Sequence, residues 1–121
     1  MIRTILTLVL AVGTLDAAGA LRVLEQPEAG FELGLGNVDF PTSTTGSVKF
    51  KTCDTCSTVA RSVTNATRYY VNNQELALAD FLLAAANIRT VEGQTSRSMV
   101  GVYVDVQSQN VNRVFVQQPR R

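Results

Sequence analysis

Two residues in this chain have a type and spacing that suit chemistry, Cys53 and Cys56, in the tetrapeptide Cys53-Asp54-Thr55-Cys56. They are its only cysteines. Three readings fit them. The first is a structural disulfide closing a turn, since paired cysteines outside the cytosol normally bond. The second is a thiol–disulfide redox site, which wants its first cysteine at a helix N-terminus where the dipole favours the thiolate. Here the flanks, Lys49-Phe50-Lys51 and Ser57-Thr58-Val59, are strand-like, although the two lysines favour a thiolate slightly. The third is a soft-metal site, such as copper(I), with Met99 or Met1 as a helper. Two thiolates without an imidazole make an incomplete zinc set, so a dimer would have to complete the shell. The structural disulfide is the preferred reading.

The chain has no histidine. That removes Ser-His-Asp and Cys-His nucleophile systems, the commonest metal ligand and the usual proton shuttle at neutral pH. The carboxylates Glu25, Glu28, Glu32, Asp39, Asp54, Glu75, Asp80, Glu92 and Asp105 form no catalytic spacing, and they read as solvated surface charges. Asp105, Gln107 and Gln109 alternate like calcium ligands, but the glycine and distal glutamate of such a loop are missing. Gly34-Leu35-Gly36 lacks the third glycine of a dinucleotide fingerprint, because position 39 is Asp39. The glycosylation triplet Asn65-Ala66-Thr67 is given no role. No enzyme activity, cofactor or resident metal is expected.

A second candidate surface is aromatic. Tyr69 and Tyr70 are adjacent, so on a strand they point to opposite faces. Core and cross-strand packing accounts for most such rings. An outward patch of Tyr70, Tyr103 and Phe115 is the binding surface the sequence offers.

The elements that must carry these residues follow from periodicity. Arg3, an apolar run from Ile5 to Leu15, and the small residues Ala18-Gly19-Ala20 make a secretory signal over 1–20, with cleavage expected after Ala20. The run is about half the roughly 20 residues that span a bilayer, and no later stretch is long enough. Segment 21–30 has no clear period and reads as a loose arm. A single domain over 31–118 follows.

Phe31, Leu33 and Leu35 alternate, with Gly34 and Gly36 marking a bent or edge strand that Val38 and Phe40 extend. Strands over 48–51 and 58–63 flank the cysteines as a hairpin. A strand over 67–71 meets the turn signal Asn72-Asn73 and returns at Glu75-Leu76. Leu78, Phe81, Leu82, Ala85 and Ile88 predict a helix over 78–88. The polar stretch 89–98 reads as a mobile loop. Val100, Val102, Val104 and Val106 predict the clearest strand, with all four valines on one buried face. Val114 and Val116 face oppositely to Phe115 on the last strand.

About six short strands and one helix, without βα alternation, predict a mainly β (α+β) fold. It would be a small antiparallel sheet or partly open barrel capped by the helix.

The pattern Thr67-x-Tyr69-x-Val71-Asn72, Leu78-x-x-Phe81, Val102-Tyr103-Val104-Asp105 and Val111-x-Arg113-Val114 resembles small exported bacterial proteins of unassigned function, which are similar to short OB- or SH3-like barrels. The resemblance covers 67–116, implies a periplasmic setting and carries no catalytic residues over.

The net charge of +1 comes with scattered bases, which excludes the clustered basic surface that nucleic acid requires. The expectation is a periplasmic or secreted protein with a structural or protein-binding role, facing an envelope or secreted partner. The alternative is a redox or soft-metal protein using Cys53 and Cys56.

Overall fold

A computed structural model describes residues 27–91 and 93–119. The expected leader 1–20, the 21–26 part of the arm and the Arg120-Arg121 pair lie outside the described residues.

The elements in chain order are β1 (Glu28–Gly34), a 3-10 turn (Leu35–Asn37), β2 (Val38–Asp39), β3 (Ser47–Phe50), β4 (Val59–Ser62), β5 (Arg68–Val71) and β6 (Gln74–Leu76). They continue with α1 (Leu78–Thr90), α2 (Gln94–Arg97), β7 (Met99–Asp105) and β8 (Val111–Gln117). The fold is mainly β, with a helix packed on a small sheet, as the periodicity predicts. Its strands form a five-stranded sheet, ordered β1-β7-β8-β5-β6, and a three-stranded sheet, ordered β2-β3-β4. The described strands do not close into a barrel.

β7 is the hub of the larger sheet, paired along its length with β1 and β8. Val100, Val102 and Val104 point inward at period two and are buried. Val114 and Val116 on β8, Leu33 on β1 and Tyr69 on β5 share that face. Helix α1 lays Phe81, Ala85 and Ile88 against it. The smaller sheet closes the core with Val38, Val48 and Phe50. Aromatic contacts join the layers: Phe31 to Phe50 across the sheets at 5.1 Å, and Phe81 to Tyr69 and Phe40 at 5.1 and 4.9 Å.

Several expectations need correction. The arm is not loose from residue 28, because Glu28, Ala29 and Gly30 pair with Asp105, Val104 and Tyr103. Val38 does not extend the first strand in the same sheet, since the turn at Leu35–Asn37 redirects the chain into β2. The sheet is not wholly antiparallel, for β5 and β8 run parallel. After β6 the chain crosses back through α1 and α2 to the sheet centre, and the β7–β8 hairpin then brings β8 alongside β5 in the same direction. Val106 lies beyond the strand end and is 44% exposed. The stretch 89–98 is not a loop throughout: α1 runs to Thr90, Gly93 turns the chain at φ 79°, and α2 follows.

Arg89 explains that last difference. Its guanidinium donates to the carbonyls of Leu35 at 3.0 Å and Val38 at 2.7 Å, and it sits 5.5 Å from the Phe40 ring centroid. One side chain thus ties the end of α1 to the link between the two sheets. Elsewhere Asn72 and Asn73 adopt positive φ at the β5–β6 turn, as predicted. The Thr67 hydroxyl, buried, donates to the Val111 carbonyl at 2.6 Å and secures the entry to β5.

Hydrogen bonds to charged groups are worth about 1.5–3 kcal/mol each. Arg89→Ala is therefore expected to lower the unfolding free energy by about 3 kcal/mol, read from urea denaturation. Wild-type stability in that variant would show that the two carbonyl contacts are idle.

Candidate functional site

Three places carry the residues singled out by the sequence: the outer face of the five-stranded sheet, the cysteine turn and the β7–β8 turn.

On the sheet, alternation sends Tyr69 inward and Tyr70 outward. Tyr69 is buried, and burial pushes its phenol pKa above the usual tyrosine value. Tyr70 lies beside Phe115 in the parallel β5–β8 pairing, and Phe115 lies opposite Gly101 in the β7–β8 pairing. Tyr103 lies between Gly30 on β1 and Arg113 on β8. The structure therefore brings Tyr70, Tyr103 and Phe115 to one face, in neighbouring register positions. The Tyr103 and Phe115 rings stack with centroids 5.7 Å apart and planes 28° from parallel.

The rings lie back on bare backbone. A Cβ at Gly30 would stand 2.8 Å from the Tyr103 ring, and one at Gly101 would fall inside the space of the Phe115 ring. Glycine at these two positions is thus a steric requirement of the aromatic pair. Sequence reasoning missed that pairing. Its signal was present in Gly101, which interrupts the valine strand at an outward position.

It also missed the polar frame. The Arg113 guanidinium sits 4.1 Å from the Tyr103 ring centroid and pairs with Glu28 at 3.3 Å. Asn112 donates to the same carboxylate at 2.9 Å. Arg68 and Glu75 form a second pair at 3.4 Å, next to Tyr70. Exposed pairs of this kind stabilise little but fix side-chain positions.

The cysteine turn joins β3 to β4. Cys53 and Cys56 are bonded to each other, and the Cys56 amide donates to the Cys53 carbonyl at 3.1 Å. Cys53 is exposed and Cys56 half-buried. Asp54 accepts from the Asn37 amide at 3.2 Å, which ties the tip to the 3-10 turn. No helix starts at Cys53, so the dipole that activates redox cysteines is not supplied. Met99, the helper of the soft-metal reading, opens β7 in the other sheet. Among the described residues no three His, Cys, Asp or Glu side chains gather as a metal set.

Asp105 closes the β7–β8 turn. Its carboxylate accepts from the Ser108 amide at 2.8 Å. Hydrogen bonds from Ser108, backbone first and then side chain, hold its pKa below the usual aspartate value.

No family model matches this chain, and no curated protein and no solved structure is significantly similar to it. No helix among the described residues is long and apolar enough to cross a membrane.

Two outcomes follow. Replacing both cysteines by serine should cost about 2 kcal/mol, the chain-entropy value for so short a loop, and leave the far-UV circular dichroism unchanged. Global unfolding of that variant would make the bridge essential. The Asp105 carboxylate should stabilise the turn above the ordinary aspartate pKa, and its contribution should vanish as pH falls through the lowered folded value. A carboxyl titration by NMR showing an unshifted or raised Asp105 would contradict this.

Proposed function

We propose that this is an exported binding protein that presents the outer face of its five-stranded sheet to a protein partner of the cell envelope or secreted space. The observation that carries the reading is the seating of Tyr103 and Phe115 on Gly30 and Gly101. Two large rings are held half-exposed on a rigid sheet, where they contribute nothing to the valine core on its other side.

The composition supports a protein partner. Tyrosine, phenylalanine, methionine and arginine are enriched in interface centres, and charged residues in their rims. Here Tyr70, Tyr103, Phe115 and Arg113 occupy the middle strands, with Met99 at one end of β7. Glu32 and Glu75 stand on the flanking strands β1 and β6. Because Glu28 with Arg113 and Glu75 with Arg68 neutralise each other, Glu32 and Asp105 are the acidic groups of this face left without a basic partner among the described residues, so the complementary surface carries an apolar centre and basic groups opposite them. Export rests on the leader pattern of 1–20 and agrees with a bonded cysteine pair. The disulfide then serves as a clasp on the β3–β4 turn, and the periplasmic setting implied by the sequence resemblance fits the same picture.

A photoreactive phenylalanine analogue placed at Tyr70, in the producing cell, should give a discrete cross-linked band. The same analogue at Ala60, exposed on the three-stranded sheet, should not. Equal labelling from both positions, or none from Tyr70, would overturn the assignment of this face.

A further inference from the structure

Among the described residues the longest free edge is β1, seven residues that pair on one side only, with β7. The hydrogen bonds at its two ends fix which groups face that partner. Val106 donates to the Pro27 carbonyl and Leu35 to the Ser98 carbonyl. In an antiparallel ladder the bonding residues alternate, so positions 27, 29, 31, 33 and 35 address β7. The N–H and C=O groups of Glu28, Gly30, Glu32 and Gly34 therefore point away from the sheet. Gly30 and Gly34 are exposed, and a glycine's exposure is that of its backbone. An unpaired row of this length is a template for another strand, and proteins blunt such edges with proline, lysine or a bulge. The strand Glu28–Gly34 has no proline, lysine or bulge, and its two charged residues, Glu28 and Glu32, are the protection it does carry.

We propose that β1 pairs antiparallel with β1 of a second copy of this chain, about a two-fold axis beside Phe31, joining the two five-stranded sheets edge to edge. The register selects itself. With the axis at Phe31, Glu28 faces the partner subunit's Gly34 and Gly30 faces the partner subunit's Glu32. All four outward residues then bond, and every glutamate stands opposite a glycine. Sliding the strands by one bonding step in either direction places Glu28 opposite Glu32, or Glu32 opposite itself, and like charges directly opposite are destabilising. The register with full overlap is free of such a clash, and the next clash-free ones bond only half as many outward residues. Two-fold closure uses up both edges, so pairing stops at a dimer. A single strand pair buries little area, which makes the association weak and concentration-dependent. This inference stands on the strand edge, independently of what the aromatic face binds.

The test is sedimentation velocity over a concentration series on the protein purified from an exporting host, with amide exchange followed by NMR. Association should rise with concentration, with the Gly30 and Glu32 amides gaining protection. Glu32→Pro removes only an outward N–H, so it should abolish the dimer and keep the monomer fold. Gly34 has φ −75° and nothing within 4 Å of an added Cβ, so the monomer accepts a side chain there. Gly34→Glu places a carboxylate opposite Glu28 twice per dimer and should weaken association roughly two- to thirtyfold. Gly34→Lys should strengthen it by a similar factor. A protein that stays monomeric throughout, or a dimer indifferent to all three substitutions, would overturn the proposal.

Discussion

The close approach of two aromatic rings to bare backbone organises this molecule. Phe115 and Tyr103 lie over Gly101 and Gly30, positions that admit no side chain without displacing them. Their seat depends on β7 lying between β1 and β8 in one register, so that glycine and ring meet across each pairing. The same register turns Val100, Val102 and Val104 into the core. One strand therefore sets both faces: its valines drive folding by burial, and its outward residues shape a surface that folding does not consume.

The rest of the chain holds that strand in place. Helix α1 covers the valine face with Phe81, Ala85 and Ile88. Arg89 reaches from the helix end to the carbonyls of Leu35 and Val38, so the helix, the chain link and the second sheet share one anchor. The bonded cysteines and the Asn37–Asp54 contact stiffen the far end of the small sheet. These are distributed constraints, each worth a few kcal/mol at most, around one apolar core.

What the sequence made legible was local. Alternating valines gave β7, paired asparagines gave the β5–β6 turn, and apolar spacing gave α1. The cysteine spacing gave the tip of the β3–β4 hairpin. Periodicity names the face of a strand but not its neighbour, so the parallel pairing of β5 with β8 and the separation into two sheets were not readable. Arg89 looked like one scattered surface base, because its two acceptors lie more than fifty positions away in the chain. Val106 continued a perfect alternation but fell past the point where Asp105 turns the chain. At the candidate site strand alternation made the outward placement of the three rings legible, while the parts played by Gly30, Gly101, Arg113 and Glu28 were not, since each acquires meaning only from cross-strand register.

The seating of the rings is the claim most directly open to measurement. In solution NMR, the Hα resonances of Gly30 and Gly101 should be displaced upfield by the Tyr103 and Phe115 ring currents and should show cross-relaxation to those ring protons. Ordinary glycine shifts at both positions, with no ring contacts, would show that the aromatic pair does not rest on the sheet and would remove the basis of the proposed binding face.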